Sequence, residues 1–305
     1  MLSFLVMRLL HAVAVVFGVS VAVFFLIRIG GDPTALFLPP EATLEEIARI
    51  RALMGFDRPL PMQFLEFLGD ALRGDFGQSL RYDQPAMMLV LERLPATLEL
   101  SAAALALSLV IAVPLGIVTA VQRGRLADRA GLLFSLVGQS FPVFWLAIML
   151  LLLFSETWRL LPPSGRDGWL NLVMPAMALA AYSTAIITRL LRSSMIEVLQ
   201  SDYVRTARSK GLGFSAVVFV HALRNAAIPT LTVVGLQVGA LLGGAVITEE
   251  IFAWPGIGRL AIQAIANRDF TVVQAFVVFM AALIVTINLL VDVCYALLDP
   301  RIRRR

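Results

Sequence analysis

Long runs of apolar residues are the feature of this sequence that most restricts its fold. Several runs approach or exceed the ~20 residues that a helix needs to cross about 30 Å of hydrocarbon. In hydrocarbon, backbone N–H and C=O groups find partners only within helices or closed barrels. Only 15% of the 305 residues are charged, with 59% hydrophobic and a mean hydropathy of +0.85. Because soluble domains carry about 25% charged residues, the sequence predicts an all-α membrane protein.

Six of the apolar runs are predicted to be transmembrane helices. They lie at Leu9–Ile29, Ala96–Val121, Gly131–Phe154, Leu170–Leu191, Ala226–Thr248 and Val272–Leu298. The fourth run is rich in alanine and is interrupted by Pro175 and by three hydroxyl residues, which predicts a helix shielded from lipid by its neighbours. The first run is too long for the apolar region of a signal peptide and lacks a good cleavage site, so we interpret it as a permanent anchor.

The basic residues are concentrated on one side of this predicted topology. Six spans place both termini on the same side, together with the loops after the second and fourth spans. That side holds 14 of the 25 Lys and Arg residues and five of the 21 acidic residues, a balance of +9, whereas the other side has a balance of −5. Positively charged loops stay in the cytoplasm, so both termini are predicted to be cytoplasmic. The basic pI near 9.8 follows from this topology, and nucleic-acid binding is not predicted.

The segment from Gly30 to Pro95 is predicted to be a small outer domain, because it contains ten acidic residues and six arginines. Thr43 and Glu46 have the spacing of a capping box at the start of a short helix, and Gly55 is predicted to end it. A second short helix is predicted at Met62–Leu72. The apolar faces of both helices should lie against the outer ends of the spans. The domain is either a spacer or a docking platform for an external protein.

Motifs for ATP hydrolysis and other catalysis are missing from the sequence. The only lysine, Lys210, is followed by Gly211, so the phosphate-binding sequence GxxxxGK[ST] does not occur. His11 and His221 are far apart in the chain, and neither HExxH nor GxSxG is present. The single cysteine, Cys294, excludes a disulfide within the chain. We therefore predict a non-catalytic protein that binds no cofactor or metal itself.

Acidic residues that could carry coupling ions are few in the predicted spans. Asp292 and Glu99 lie near span ends, where each could reach the interface or pair locally. A self-sufficient secondary transporter or channel is therefore the alternative interpretation and not the leading one.

The cytoplasmic connection between the fourth and fifth spans, Arg192 to Asn225, has a helical pattern although it is long and charged. Apolar and small residues recur there at helical spacing, namely Met195, Val198, Leu199, Tyr203, Thr206 and Ala207. Such a helix could insert into a groove on a soluble partner, or it could simply be solvated.

Two stretches of this connection resemble a known family. They are Asp202-Tyr203-Val204-Arg205-Thr206-Ala207-Arg208-Ser209-Lys210-Gly211-Leu212 and His221-Ala222-Leu223-Arg224-Asn225. Together they resemble the coupling segment of permeases from the dipeptide and oligopeptide branch of bacterial ABC importers. The general permease pattern is EAAxxxG, nine residues, then IxLP. Ala207, Gly211 and Leu223 match it, and the departures, which are typical of the peptide branch, are Arg205, Thr206, His221 and Arg224.

The resemblance extends along nearly the whole chain. Further matching stretches are Gly30-Gly31-Asp32-Pro33, Arg73-Gly74-Asp75-Phe76-Gly77-Gln78-Ser79, Arg93-Leu94-Pro95-Ala96-Thr97, Ser140-Phe141-Pro142, Phe252-Ala253-Trp254-Pro255-Gly256-Ile257-Gly258 and Leu298-Asp299-Pro300-Arg301. It implies a type I ABC importer permease fold, in which one extra N-terminal helix precedes a five-helix core. The implied parts are an N-terminal transmembrane helix (1–29), a periplasmic insertion (30–95), a permease core (96–298) with a coupling segment (192–225), and a basic cytoplasmic tail (299–305).

The function implied by the resemblance is import. Such a chain forms half of a translocation pathway in the bacterial inner membrane, beside a second homologous permease. Two cytoplasmic ATPases supply ATP and Mg binding, and a periplasmic solute-binding protein delivers the solute. Relatives carry dipeptides, oligopeptides, glutathione or nickel complexes.

The resemblance also assigns residues to coupling with the ATPases. These are Asp202, Tyr203, Arg205, Thr206, Ala207, Arg208, Lys210, Gly211 and Arg224. We expect Ala207 to enter a groove on the ATPase and Gly211 to end the helix with positive φ. The basic residues contact either the partner or anionic lipid headgroups.

The fifth span contains small residues at a spacing of four, Gly235, Gly239 and Gly243, which allow two helices to approach closely. The resemblance places this helix beside the central pathway. Gln237 is accordingly a candidate for solute contact or, alternatively, for hydrogen bonding between helices.

Overall fold

The computed structural model describes residues 2–29, 43–53, 57–79 and 81–298, and its regular secondary structure in these ranges is helical. Gly30-Gly31-Asp32-Pro33, Gly55 and the tail from residue 299 onward, which the sequence interpretation used, lie outside these ranges.

The described helices are α1 (Leu2–Ile29), α2 (Leu44–Leu53), α3 (Leu60–Leu72), α4 (Ala86–Val121), α5 (Leu126–Ser140), α6 (Val143–Leu150), α7 (Trp169–Leu199), α8 (Asp202–Ser209), α9 (Leu223–Ile251), α10 (Ile257–Ala266) and α11 (Phe270–Leu298). A π-helical turn at Leu151–Thr157 continues α6, and another at Ala216–Ala222 leads into α9.

Five helices of the described chain are long and apolar enough to cross a membrane, namely α1, α4, α7, α9 with its preceding turn, and α11. A sixth span is present if α5 and the extended α6 form one broken span. The all-α membrane fold is thereby confirmed. In α7, 56% of the apolar window is buried, against 39% or less in the other four spans, so its predicted shielding is confirmed.

The predicted third span differs from the structure because it is not one continuous helix. Between α5 and α6 the chain bends by 100°. Phe141 is extended there, with φ −93° and ψ 134°, and Pro142 precedes α6. A proline disfavours helical geometry in the residue before it and supplies no N–H for a preceding turn. The apolar run alone therefore concealed a break.

The chain divides into two compact units, residues 1–95 with 256–289, and residues 96–255 with 290–305. In the first unit, α3 packs on α1 through aromatic rings, and the centroids of Phe24 and Phe64 are 5.2 Å apart. The Arg28 guanidinium lies 3.4 Å from the Phe24 centroid, and its Nε donates to Gln63 Oε1 at 3.0 Å. The apolar face of α3 thus lies against a span, as predicted.

The predicted capping box of α2 is also confirmed in this unit. The Thr43 backbone N–H donates to Glu46 Oε2 at 2.8 Å, and the Glu46 N–H donates to Thr43 Oγ1 at 3.3 Å. The hydrogen bonds from the Thr43 backbone and hydroxyl lower the pKa of the Glu46 carboxyl.

The stretch before α4 folds onto the turn between α10 and α11, also within the first unit. Ser79 Oγ donates to the Asp269 carboxylate, and Asp269 is only 2% exposed. Arg81 Nη1 donates to Asn267 Oδ1 at 2.6 Å, and Thr271 Oγ1 donates to the Gln78 carbonyl at 2.9 Å. This part of the outer insertion is therefore folded onto the rest of its unit, and its role as a spacer or as a docking platform stays a prediction.

The second unit is built around small residues in α4, α7 and α9. Its core includes Ala104, Ala180 and Ala245, and Trp254 is fully buried beside them. The Trp254 indole N–H donates to the Ala96 carbonyl at 2.8 Å. Glycines permit further close approaches, since a Cβ at Gly116 would lie 3.0 Å from Leu191 Cδ2.

The glycines of α9 have different surroundings. A Cβ at Gly235 would overlap Cγ1 and lie 2.7 Å from Cγ2 of Val291 in α11, so this glycine serves close packing within the chain. A Cβ at Gly243 would have no described atom within 4 Å. Gly239 is buried. The predicted small-residue packing is therefore confirmed at Gly235 and not at Gly243.

We predict that Gly235→Ala destabilises the chain and Gly243→Ala does not. Valine is stiff at χ1, so the added methyl at 235 overpacks the contact at a cost of about 1–3 kcal/mol. At 243, the better helix propensity of alanine stabilises by up to about 1 kcal/mol. The check is the thermal midpoint of each purified variant in one detergent, where equal midpoints for the two variants would contradict the packing.

Candidate coupling surface

α8 is a two-turn helix whose end is fixed by Gly211. The Gly211 φ is +79°, as the sequence interpretation predicted. The Gly211 N–H donates to the Arg208 carbonyl at 2.9 Å, and the Leu212 N–H donates to the Ala207 carbonyl at 3.3 Å. These two bonds form a Schellman motif, which uses a left-handed residue to satisfy the last carbonyls of a helix. The turn after α8 is therefore specified by its glycine.

The inner face of α8 packs on the π-helical turn at 216–222. Val204 is fully buried and Ala207 is 7% exposed. Its own chain encloses most of the Ala207 side chain, and the entry of Ala207 into a groove on a partner stays a prediction. Its small size permits α8 to lie close to the segment that leads into α9.

The outer face of α8 is exposed and mainly basic. We define the coupling surface as eight exposed side chains of α8 and the following turn: Asp202, Tyr203, Arg205, Thr206, Arg208, Lys210, Leu212 and Phe214. Arg205 and Asp202 form an ion pair at 3.4 Å with side chains 78% and 94% exposed, and solvent screens such a pair strongly. Phe214 is 63% exposed. A basic helix with exposed apolar side chains at its end suits a protein partner.

The predicted residue Tyr203 takes part in a small polar link with Asn225. Asn225 Nδ2 donates to Tyr203 Oη and to the His221 carbonyl, both at 2.9 Å. This ties the start of α8 to the start of α9. Arg224, next to Asn225, is exposed. Sequence reasoning quoted Asn225 in a motif and gave it no role, because no local signal pairs it with a tyrosine 22 residues earlier.

A second polar link lies at the first turn of α5, and sequence reasoning missed it. Arg192 Nε donates to Asp128 Oδ1 at 2.7 Å, and Arg192 Nη2 donates to Asp128 Oδ2 at 2.9 Å. The Gly124 N–H also donates to Asp128 Oδ2, at 2.8 Å. In the sequence, both residues belong to the charges of the predicted cytoplasmic side, and no local pattern pairs them.

Apolar packing anchors the coupling surface to the spans. One buried core contains Ile117 of α4, Leu191 and Met195 of α7, Ala222 of the π-helical turn and Ala226 of α9. Three spans thus meet beside the segment that follows α8. The arrangement can transmit a displacement of α8, because these side chains are close-packed.

Gln237, the candidate for solute contact, is 6% exposed in α9. A cavity of about 260 Å³ lies elsewhere in the second unit and is lined by Leu107, Ile111, Phe134, Ser135, Val137, Gly138, Leu146, Leu150, Met177, Ala180, Ala181, Thr184 and Ala185. Its hydroxyls donate to carbonyls of their own helices, Ser135 to Gly131 and Thr184 to Ala180. The predicted pathway residues of α9 do not line this cavity.

The outer acidic residue Glu99 pairs locally, as predicted. Arg166 Nε donates to Glu99 Oε2 at 2.8 Å, and both side chains are 41% exposed. Within the described ranges, His, Cys, Asp and Glu side chains form no cluster of three or more that could hold a metal ion.

Two family descriptions match this chain. Residues 112–304 match "Binding-protein-dependent transport system inner membrane component", and residues 1–101 match the N-terminal part of such membrane components.

Curated relatives match over their full length. The probable peptide ABC transporter permease protein y4tP of Sinorhizobium fredii is 41% identical, over 98% of this chain and 99% of the relative. The di/tripeptide transport system permease protein DppB of Pseudomonas aeruginosa is 41% identical, over 100% of both chains. The glutathione transport system permease protein GsiC of Pectobacterium atrosepticum is 40% identical, over 99% of both.

A solved structure shares the fold. It is described as the crystal structure of an amino acid ABC transporter with histidines, and it superposes with a TM-score of 0.54 over 70% of this chain and 94% of the other. The identity is 18%, so the likeness concerns the fold alone.

We predict that Gly211→Val weakens the association of the chain with cytoplasmic ATPases by about tenfold, on the scale of 1.4 kcal/mol. A β-branched side chain at positive φ costs about 1–2 kcal/mol and opens the turn after α8. Gly213→Val is the matched control, because a Cβ at either glycine meets no described atom within 4 Å and only Gly211 has positive φ.

The measurement is the amount of ATPase that co-purifies with each tagged variant, relative to the amount of the chain. Equal ATPase recovery with Gly211→Val and Gly213→Val would show that the geometry of this turn does not matter for the association.

Proposed function

This chain belongs to the family of binding-protein-dependent transport system inner membrane components, and we propose that it imports short peptides. It is a multi-pass permease subunit of an ABC importer, and its role is transport and not catalysis. It associates with other components of such an importer.

The observation that carries the proposed substrate is similarity over the entire chain to permeases named for peptides. DppB proteins are named for dipeptides and di/tripeptides, and the match covers 100% of both chains. The GsiC proteins are named for glutathione, which is itself a tripeptide. Short peptides are the class of solute that these names share, and an external binding protein would select among them.

We propose that ATP-driven motion reaches this chain through the coupling surface. A ligand or partner shifts a conformational equilibrium only through contacts that differ between the two states. The exposed basic residues Arg205, Arg208 and Lys210 offer such contacts to an acidic partner face. The buried face of α8 packs on the π-helical turn at 216–222, and that turn contributes Val218 and Ala222 to the core that joins α4, α7 and α9. ATP and Mg would be bound by two ATPase subunits.

The charge distribution supports an orientation with both termini and the coupling surface in the cytoplasm of a bacterial cell. The balance of +9 on one side and −5 on the other agrees with the positive-inside rule. The folded stretch around Ser79 and Asp269 would then face the periplasm, where it would receive a solute-binding protein. A second homologous permease would complete the pathway.

The proposal is tested with proteoliposomes that contain the chain together with its second permease, its ATPases and its binding protein. Labelled Ala-Ala should accumulate inside only when hydrolysable ATP is available to the ATPases. Neither a non-hydrolysable ATP analogue nor the chain alone should support accumulation. Uptake by the chain alone in a proton or sodium gradient would contradict the proposal of an ATP-driven importer and favour a secondary transporter.

A further inference from the structure

We propose that Asp128 and Arg192 are positioning residues that make α5 follow the movement of the coupling helix α8. The inference rests on the proposed function, because it concerns how ATPase-driven motion is distributed within the permease.

The ion pair between these residues is well shielded and geometrically fixed. The Asp128 side chain is 5% exposed and that of Arg192 is 21% exposed. Two parallel hydrogen bonds at 2.7 and 2.9 Å join the guanidinium to the carboxylate, and the Gly124 N–H occupies a further acceptor position. A bidentate pair sets orientation as well as distance. Such a pair resists sliding of one helix along another better than an exposed ion pair does.

The pair lies close to the coupling surface along the chain. Arg192 is in the last turns of α7, and only Gln200 and Ser201 separate α7 from α8. The Ser201 hydroxyl donates to the Val198 carbonyl at 2.6 Å, and the Arg205 N–H donates to the Ser201 carbonyl at 3.2 Å. The connection between α7 and α8 is therefore short and hydrogen-bonded. Because this connection is short and ordered, a displacement of α8 also displaces the end of α7 that carries Arg192.

α5 is attached to its neighbours at further points. A Cβ at Gly138 would lie 3.3 Å from the Ala181 carbonyl oxygen of α7. A Cβ at Gly131 would overlap Thr119 Cγ2 of α4. Asp128 and Gly138 are ten residues apart, or about 15 Å along the helix. With contacts to α7 near both ends, α5 is held as a rigid partner of α7.

The chain then bends by 100° directly after α5, where Phe141 is extended. Because the hydrogen-bonded ladder is interrupted there, α5 can move relative to α6 without breaking a continuous helix. The ion pair is thus placed to convert movement of α8 into a change in the angle between α5 and α6 at this bend. Its loss should leave ATPase docking intact and remove the transfer of movement to α5.

The test uses the complete importer, purified through the tagged chain and reconstituted in proteoliposomes. Uptake of labelled Ala-Ala and release of phosphate are measured in the same sample. Asp128→Asn retains the shape of the side chain and an acceptor for Gly124, but it loses the charge. We expect ATPase recovery and phosphate release to stay within about twofold of wild type, and uptake per ATP hydrolysed to fall by about tenfold or more.

Glu99→Gln is the matched control, because Glu99 also pairs with an arginine in the second unit. The two side chains of that pair, however, are each 41% exposed. It should keep uptake per ATP within about twofold of wild type. If Asp128→Asn does not accumulate in the membrane, Asp128→Asn/Arg192→Gln replaces it, since removal of both charges leaves no unpaired buried charge.

Two results would overturn the inference. One is that the Asp128 variant, single or double, that accumulates in the membrane takes up as much Ala-Ala per ATP hydrolysed as Glu99→Gln does. The other is a parallel fall of uptake and phosphate release, which would indicate a merely structural role. Failure of the proposed function is distinguishable, because the wild-type importer would then show no ATP-dependent uptake of Ala-Ala at all.

Discussion

The requirement that backbone polar groups be satisfied without water governs this structure. The spans meet it as helices, and the places where a helix ends near the membrane need specific partners. After α9, the Trp254 N–H donates to the Glu249 carbonyl at 2.8 Å, and the Gly165 N–H donates to the Phe252 carbonyl at 3.0 Å. Ala253 takes φ +49° in this turn, a conformation that is uncommon for a residue with a Cβ. The buried Trp254 indole donates a hydrogen bond to the Ala96 carbonyl, and this anchor stabilises the strained backbone conformation of the turn.

The same requirement explains how a motion could cross the protein. Continuous helices that are packed through glycine and alanine move as units, because close-packed interiors are not continuously deformable. Relative motion is then confined to the breaks, of which the bend at Phe141 and Pro142 is the clearest. α8 stands outside the spans and packs on the π-helical turn at 216–222, whose Val218 and Ala222 share a core with three of them. A partner that displaces α8 therefore acts on whole helices and not on single side chains.

Local chemistry was sufficient to predict some features, and tertiary contacts determined the others. The spans follow from apolar length, the α2 cap from Thr43 and Glu46, and the positive φ of Gly211 from its place after a short helix. The burial of Ala207 was not predictable, because a small residue suits a groove on a partner and close packing within the chain equally well. The Asp128–Arg192 pair spans 64 residues, and without a local pattern only folding brings the two together. The bend was concealed because its flanking residues are as apolar as a continuous span.

The proposed orientation places the coupling surface in the cytoplasm and the outer insertion on the opposite side of the membrane. It is tested by placing single cysteines at Arg208 and Arg73 in a Cys294→Ser background and treating spheroplasts or inverted vesicles with a membrane-impermeant maleimide. Both side chains are on exposed residues, so each should react without unfolding. Arg208→Cys should be labelled only in inverted vesicles and Arg73→Cys only in spheroplasts. Labelling of both positions from the same side would contradict it.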